Sequence, residues 1–379
     1  MDGEARADGG DAGGSTLRLM LSLTTAGESH GPALVAILTG LPAGLVLDRD
    51  AINADLARRQ EGYGRSPRQQ LEQDEVEVLA GLRHGRTLGT PLALVVRNRD
   101  HKNWAWGMSP WPPDGEPEGK GTKPVTLPRP GHADLAGAQK FGLEDVRDAL
   151  ERASARQTAV AVAAGAVAKA LLAEIGIDVR GQTPDVAGAD KEAVDAARRD
   201  RDTLGGFVEV LAMGVPPGLG SYATKEERLD ARLAAALMGI QAVKGVEIGR
   251  GFALAELRGS EAHDEIVRDE RGLHRTTNRA GGIEGGVSNG EELVVRAGMK
   301  PLPTLMRPLA SVDLQTGEPG DALVERSDVS AVEALAVVAE AAVAFELARA
   351  AREKFGGDAV GDFVAAHRAY LERIDWQAR

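Results

Sequence analysis

The sequence predicts an α+β fold in which helices pack between β-sheets and the chain forms two quasi-equivalent halves. Segments 144–175 and 330–355 are rich in Ala and Val and apolar around most of their circumference, which is typical of helices buried on several sides. Short Val- and Leu-rich segments flank both of them, and sheets that cover such helices are a natural architecture. Two short motifs recur at one offset, which indicates an internal duplication.

The other elements are predicted in chain order from local composition. Residues 1–16 are Gly- and Asp-rich, so they predict a short disordered tail rather than a signal peptide, followed by one domain over residues 17–379. Strands are predicted at 17–25, 33–39, 75–82 and 90–98, and a short helix at 50–59. Residues 101–127, rich in Trp, Pro, Gly and Lys, show no periodicity and predict a mobile surface loop, a candidate lid.

The two long helices carry their own boundary signals. The first is predicted over 144–175 and stops at Gly176. The second is predicted to begin at a capping box formed by Ser330 and Glu333, and to end at the glycine pair 356–357.

The duplication depends on two matches. The motif Gly-x-Pro-x-Gly-Leu at 40–45 recurs at 214–219, and the Glu-Arg pair at 151–152 recurs at 325–326, both with an offset of 174 residues. Coincidence is the alternative, because Gly-x-Pro-x-Gly is a common turn. Each Glu-Arg pair precedes or opens an Ala-rich helix, which favours two related halves within a single domain.

Composition excludes several classes of function. The net charge is −12 at pH 7, and so acidic a protein is not expected to bind nucleic acid, whose phosphates need a basic surface. The absence of cysteine excludes disulfides and thiolate chemistry and suits a reducing cytoplasm. No apolar run approaches the roughly 20 residues that span a bilayer, so no membrane partner is expected.

Arginines nevertheless cluster in two short segments. The clusters consist of Arg58, Arg59, Arg65 and Arg68, and of Arg152 and Arg156. In an acidic chain such clusters indicate a site for a small polyanion, because guanidinium groups bind phosphate and carboxylate in a bidentate fashion. A solvated charged surface is the alternative.

The segment 27–31, Gly-Glu-Ser-His-Gly, formally matches the nucleophile elbow of serine hydrolases, with Ser29 as the nucleophile. That elbow requires a helix after the serine, whereas Pro32 and a predicted strand follow here. A serine hydrolase is therefore disfavoured and stays an alternative.

Two histidines, His30 and His132, lie in turns set by glycine, and His132 follows Arg129 by three residues. A histidine beside arginines and an anionic substrate is a candidate general acid, because nearby negative charge favours the protonated imidazole. A loop histidine with one structural hydrogen bond is the alternative. No His, Asp and Glu residues have convincing metal-ligand spacing, and neither a Walker A nor a dinucleotide-binding glycine motif is found.

The glycine-dense segment 278–290 predicts a ligand loop. Its glycines permit close backbone approach and offer N–H groups to an anion, and the following segment 300–304 pairs Lys300 with Thr304. A flexible linker is the alternative, but the predicted strand at 292–297 favours a structured loop.

Five ordered motifs together resemble the chorismate synthase family. They are 27–31 with 40–42, 129–134 (Arg-Pro-Gly-His-Ala-Asp), 151–158 (Glu-Arg-Ala-Ser-Ala-Arg-Gln-Thr), 278–282 (Asn-Arg-Ala-Gly-Gly), and 326–328 (Arg-Ser-Asp) with Glu340. The resemblance covers about residues 17–357. One departure is Val329, where many members have proline, and hydrophobic packing can replace that proline.

The resemblance implies helices sandwiched between antiparallel sheets, two similar halves and a cytoplasmic homotetramer, with residues 17–379 as the catalytic domain. It implies a lyase of the shikimate pathway of aromatic amino acid biosynthesis. The reaction is an anti-1,4-elimination of phosphate from 5-enolpyruvylshikimate 3-phosphate that yields chorismate. It requires reduced FMN without net redox change. Either NADPH or a separate flavin reductase would reduce the flavin, and the sequence favours the separate reductase because it shows no added reductase domain.

The resemblance also implies roles for single residues. His30, with Ser29 beside it, would protonate or charge-balance the flavin. His132 would act as general acid toward the departing phosphate, and Asp328 would assist removal of the substrate proton. The flavin-binding positions would be Arg152, Ala153, Ser154, Gln241, Ala242, Gly285, Lys300, Pro301, Leu302, Pro303, Thr304 and Arg326.

The implied substrate anion contacts are Arg59, Arg65, Arg129, Arg156 and Arg326. Arg59 and Arg65 also match NADPH positions of the family, and one small site could not use them for both ligands at once. A non-catalytic flavin- or phosphate-binding protein is the remaining alternative, and it would need neither His30 nor His132.

Overall fold

The first half of the chain forms a four-stranded antiparallel sheet. The computed structural model describes residues 20–65, 72–184, 186, 188–270, 272–325 and 327–375. The strands are β1 (Ser22–Ala26), β2 (Ala33–Thr39), β3 (Val76–Ala80) and β6 (Leu92–Arg97), in the order β1-β2-β6-β3. In β2, Leu34, Ala36 and Leu38 are buried and the alternate side chains face outward, so one face of this sheet covers the core.

The second half repeats this arrangement. Its strands are β7 (Asp178–Gln182), β8 (Gly206–Met213), β9 (Val243–Ile248) and β14 (Leu293–Met299), in the order β7-β8-β14-β9. Helix α1 (Arg49–Gln60) lies between β2 and β3 in the chain, and α6 (Leu229–Met238) lies between β8 and β9. The two halves therefore share one topology, and the predicted fold class is confirmed.

The repeated Gly-x-Pro-x-Gly-Leu motif makes the same hydrogen bonds in both halves. In the first half, the Thr87 hydroxyl donates to the carbonyl of Pro42 at 2.6 Å and accepts from the N–H of Leu45 at 3.0 Å. In the second half, the Ser288 hydroxyl makes the two matching bonds, at 2.6 and 2.8 Å. Equivalent side-chain contacts in both halves support duplication over coincidence.

Two long helices lie against each other between the sheets. They are α4 (Thr158–Ala173), which packs on the first sheet, and α8 (Val332–Phe355), which packs on the second. Where they meet, a Cβ added to Gly165 would lie 2.3 Å from the Cβ of Ala341. Small residues thus let the helices approach closely, which is how a chain with 3% aromatic residues fills its core.

Shorter elements complete the described chain. The small strands form hairpins, which are β4 (Leu82–Arg83) with β5 (Arg86–Thr87), β10 (Ile266–Asp269) with β11 (Gly272–Arg275), β12 (Ile283–Glu284) with β13 (Val287–Ser288), and β15 (Ala310–Val312) with β16 (Pro319–Asp321). The other helices are α2 (Asp134–Phe141), α3 (Arg147–Ala153), α5 (Lys191–Asp200), α7 (Gly259–Ala262) and α9 (Val360–Ile374), with 3-10 helices at Arg99–Asn103, Ala155–Gln157 and Gly251–Glu256.

Two predicted helix boundaries are wrong. The segment 144–175 is interrupted at Ser154, whose backbone is extended at φ −65° and ψ 141°, and composition does not reveal such a break between good helix formers. The capping box at Ser330 does not form either. Helix α8 begins at Val332, and the Glu333 carboxylate accepts instead from the backbone N–H of Tyr63 at 3.2 Å.

The loop 101–127 begins within a 3-10 helix and continues as turns around a buried Trp104. Its mobility stays a prediction, as does the treatment of 17–379 as one catalytic domain. The predicted tail at 1–16 and Arg68 lie outside the described residues. By length and composition, the helical stretch Arg147–Ala173 could cross a bilayer, but 72% of its apolar window is buried, as in a helix of a protein core.

Candidate active site

A cavity of about 500 Å³ is lined by residues of both halves, and its volume is typical of sites for small molecules and cofactors. Ser154 and Asp328, separated by the same 174 residues as the repeated motifs, precede α4 and α8 and both line it. The predicted site residues gathered there are Ser29, His30, Arg59, Arg65, Arg129, His132, Ala153, Ser154, Arg156, Gln241, Ala242, Lys300, Leu302, Pro303, Thr304 and Asp328.

His30 is fixed in the tight turn after β1. This turn requires glycine at Gly27, where φ is +114° and a Cβ would lie 2.4 Å from the carbonyl oxygen of Ala33. The His30 Nδ1 lies 2.8 Å from Glu151 Oε1, and its backbone N–H donates to Glu151 Oε2 at 2.7 Å. The Trp104 indole stacks on the imidazole with centroids 4.0 Å apart. Nε2 is therefore the ring nitrogen left for a ligand.

The surroundings of Ser29 do not form a nucleophile elbow. Strand β2 (Ala33–Thr39), rather than a helix, follows the turn. The Ser29 hydroxyl accepts a hydrogen bond from the Ser154 hydroxyl at 3.2 Å, and the Ser29 N–H donates to the Glu151 carbonyl at 3.1 Å. The serine thus stabilises the turn that carries His30.

His132 is held by a buried carboxylate and an arginine. Its Nδ1 contacts Asp134 Oδ1, and Arg129 donates to Asp134 through Nε at 2.9 Å and to Thr304 through Nη1 at 2.8 Å. Burial raises the pKa of Asp134, but hydrogen bonds from His132 and Arg129 outweigh it and hold that pKa well below its usual range. An ionised Asp134 therefore holds the side chains of His132 and Arg129 in place beside the cavity.

Two arginines share the buried carboxylate of Asp74. Arg156 Nη1 donates to its two oxygens at 2.7 and 2.8 Å, and Arg59 Nη1 donates at 3.2 Å. Burial lowers the pKa of Arg59 to about 10; Asp74 opposes this shift, and the neighbouring Arg156 adds to it. Arg156 Nη2 also lies 3.5 Å from the buried carboxylate of Glu72, so two carboxylates face these two arginines. Both arginines line the cavity, where guanidinium groups suit an anionic ligand.

Arg65 and Asp328 form an ion pair inside the cavity, with Nη1 and Oδ2 3.0 Å apart. Within the described residues, Arg65 Nε is a buried donor that has no hydrogen-bond acceptor. Buried donors are normally satisfied, so a ligand oxygen is the expected partner.

The Lys300 segment closes the second-half side of the cavity. Its Nζ contacts the carbonyl of Gly131, and its N–H donates to the Ala242 carbonyl at 3.0 Å. Burial lowers the pKa of Lys300, and the positive charge of Lys244 adds to the effect. Ala242 has φ +69°, a left-handed conformation that is costly for alanine and is often found at functional sites.

Some predicted flavin positions do not line this cavity. Arg152 donates to the carbonyl of Thr25 at 2.9 Å, and Gly285 is exposed in the β12–β13 hairpin. Pro301 is not among the residues that line the cavity. Arg326 lies outside the described residues. The assignments of these four residues stay predictions.

Four residues that shape the site were not predicted as site residues. Asp134 and Glu151 belong to the quoted motifs 129–134 and 151–158, so a signal existed for both. Trp104 lies in the loop to which no function was assigned, and Asp74 follows no recognisable motif. Their roles appear only when distant parts of the chain are brought together.

Comparison with known proteins agrees with the motifs. The family model for chorismate synthase matches residues 21–351. A chorismate synthase from Desulforudis audaxviator is 53% identical over 387 aligned residues, covering 94% of this chain and 98% of that protein. One from Salinispora tropica is 54% identical over 389, with coverage of 94% and 99%. A crystal structure of chorismate synthase matches with a TM-score of 0.73 at 36% identity, covering 94% of this chain and 98% of that one. The chain therefore belongs to the chorismate synthase family.

Proposed function

We propose that this chain catalyses the anti-1,4-elimination of phosphate from 5-enolpyruvylshikimate 3-phosphate, giving chorismate in the shikimate pathway. The observation that carries the proposal is the convergence of two carboxylate-held histidines and four arginines on one cavity. The substrate bears a phosphate and two carboxylates, which suit the guanidinium groups of Arg59, Arg65, Arg129 and Arg156.

His132 is proposed as the general acid toward the leaving phosphate. Asp134 and Arg129 occupy its Nδ1 side, so Nε2 is the atom that can give a proton to a phosphate oxygen. Arg129 lies beside it and would bind the same phosphate, which lowers the cost of the charge that develops as the C–O bond breaks.

Asp328 is proposed to assist removal of the substrate proton. Its carboxylate is paired with Arg65, with Oδ2 and Nη1 3.0 Å apart. A substrate carboxylate or phosphate bound by Arg65 would compete for that guanidinium and leave Asp328 more basic toward a proton.

The second-half side of the cavity fits a reduced FMN. Its apolar wall suits a flat ring and consists of Ile240, Leu302, Pro303, Ala331, Leu335 and Val338. Lys300, Thr304, Gln241, Ala242, Ala153 and Ser154 line the same cavity and would bind the flavin's polar groups. When bound, the reduced flavin would supply electron density to the substrate transiently as phosphate leaves. His30, with Ser29 beside it, would hold a proton that balances the flavin's charge.

A separate flavin reductase is proposed as the source of electrons. Arg59 and Arg65, which match NADPH positions, are paired with Asp74 and Asp328 inside the substrate cavity, which disfavours NADPH as a second ligand. Anaerobic incubation with NADPH and FMN should therefore give no flavin reduction. Rapid reduction of FMN by NADPH in the presence of the pure protein alone would overturn the proposal of a separate reductase.

A cytoplasmic homotetramer is proposed from the resemblance. Large apolar side chains on the outer faces of both sheets, among them Ile37, Phe207 and Met213, are 40–42% exposed and suit burial between subunits. Light scattering should give a mass near four times 39.7 kDa, and a monomer would contradict the proposal.

Anaerobic turnover tests the proposed reaction. With photoreduced FMN, we expect chorismate and phosphate to appear in equal amounts, and with oxidised FMN neither should appear. Folded protein that binds reduced flavin without making chorismate would favour the non-catalytic binding protein. Ester hydrolysis that depends on Ser29 and not on flavin would favour the serine hydrolase.

A further inference from the structure

Glu151 holds the His30 turn through both its side chain and its backbone. Its side chain is 1% exposed and comes from α3, 121 residues away in the chain. One carboxylate oxygen accepts from the His30 backbone N–H at 2.7 Å, and the other lies 2.8 Å from Nδ1. The Glu151 carbonyl also accepts from the N–H of Ser29 at 3.1 Å.

The imidazole is confined on its remaining sides. Trp104 stacks on the ring at an interplanar angle of 23°, and its indole N–H is bound by Asp100 at 3.0 Å. The guanidinium carbon of Arg147 lies 5.0 Å from the centroid of the Trp104 ring. The Nη1 atom of Arg147 lies 3.7 Å from Glu151 Oε1. Among the described residues, the charged or titratable groups that contact His30 or the stacked Trp104 include Glu151, Arg147, Asp100 and Lys120. They also include His101, whose Nδ1 is 2.9 Å from the His30 carbonyl oxygen.

The hydrogen bonds decide which nitrogen of His30 carries a proton. A backbone N–H can only donate, so one oxygen of Glu151 is an acceptor in every state. The other oxygen also lies 3.7 Å from the guanidinium of Arg147, which can only donate, so a carboxylate that accepts through both oxygens satisfies the groups around it. Nδ1 must then donate to the other oxygen, and Nε2 of the neutral ring carries no proton.

We propose that Glu151 is the positioning residue of His30: it fixes the Nδ1–H tautomer and makes Nε2 the only ring nitrogen that exchanges a proton with a ligand. This inference rests on the proposed part of His30 in the reaction. The carboxylate acts through the imidazole and does not itself touch the substrate or the flavin.

The tautomer can be read directly by nitrogen NMR of ligand-free protein carrying 15N-labelled histidine. We expect neutral His30 to show a protonated Nδ1 and an unprotonated Nε2, with the signals assigned by their loss in His30→Asn. A neutral wild-type His30 that is protonated on Nε2 and not on Nδ1 overturns the proposal without any variant. Because neither substrate nor flavin is present, this result is independent of whether chorismate is made.

Glu151→Gln should invert the tautomer. The amide oxygen would keep the backbone N–H, so the amide nitrogen would face Nδ1 as a donor and leave the ring proton on Nε2. We expect kcat to fall on the order of 10²-fold, as when general acid–base help is lost, with the KM for the substrate nearly unchanged. Glu151→Asp keeps the charge and should retain the Nδ1–H tautomer and part of the activity.

The matched control is Glu144→Gln, an exposed glutamate seven residues earlier, whose loss should leave the His30 spectrum and kcat unchanged. A folded Glu151→Gln variant with wild-type tautomer and kcat overturns the proposal. If the Glu151→Gln variant does not fold, the proposal is tested by the wild-type nitrogen NMR spectrum and by the tautomer and activity of Glu151→Asp. A wild-type enzyme that makes no chorismate would instead sink the proposed function and leave the tautomer assignment standing.

Discussion

Asp74→Asn should destabilise the ligand-free protein because it removes the shared counterion of two buried arginines. The Asp74 side chain is fully buried, and the side chains of Arg156 and Arg59 are only 7% and 6% exposed. Asparagine keeps the volume of aspartate and can still accept one hydrogen bond, but it carries no charge.

Removing one partner of a buried ion pair costs roughly 3–5 kcal/mol, because an unpaired charge is left in the interior. Since asparagine keeps one acceptor, we expect a loss of about 3 kcal/mol in the free energy of unfolding, the lower end of that range. A bound anion can replace part of the lost charge. Phosphate at about 100 times its Kd would return roughly 2.7 kcal/mol, and it should stabilise the variant more than the wild type.

Urea denaturation at pH 7 and low salt, with and without phosphate, measures both effects. The control is Glu77→Gln, which breaks a surface pair with Arg97 and should change stability little, since exposed pairs are screened by solvent. A loss below about 1 kcal/mol for Asp74→Asn, the value of a surface pair, would refute the reasoning. So would a variant that phosphate stabilises no more than the wild type.

Three further predictions follow from single contacts. His132→Ala should lower turnover about 10²–10⁴-fold while circular dichroism stays unchanged, and unchanged turnover in a folded variant would exclude the general acid. Gly165→Ala should cost about 1–3 kcal/mol or more, because the new Cβ would lie 2.3 Å from the Ala341 Cβ; a wild-type melting temperature would contradict the helix packing. Burial raises the pKa of Glu340, but a hydrogen bond from Arg58 and further polar contacts outweigh it, so the net pKa is lowered. A lowered pKa gives stability that is present above about pH 4.3 and is lost as the pH falls through the folded-state value. Glu340→Gln should therefore flatten the acid side of the stability profile in urea titrations, and an unchanged profile would contradict the pairing.

The sequence predicted those parts of the fold that depend on short-range patterns. The turn around His30 needs glycine for its backbone, and so does the motif shared by 40–45 and 214–219, whose glycines all have positive φ. Such requirements leave residues at fixed spacing, so both the turns and the duplication could be recognised. The fold class followed from the two Ala-rich helices and the strands around them.

The contacts that position the site could not be predicted in the same way. Glu151 meets His30 across 121 residues, and Asp74 meets Arg156 across 82. Such pairs form only when the sheets and helices are assembled, and the identity of a single residue does not predict its distant partner. The break at Ser154 combines a distant and a local contact, because its hydroxyl donates to Ser29 and accepts from the Arg156 N–H two residues later. A serine that bonds a nearby backbone N–H in this way competes with the helix.

The most direct test of the proposed site is a crystal structure of the protein with oxidised FMN and 5-enolpyruvylshikimate 3-phosphate. We expect both ligands in the cavity lined by the two halves, with the substrate phosphate beside His132 and Arg129. Substrate bound on another surface, with His30 and His132 untouched, would contradict the proposed site.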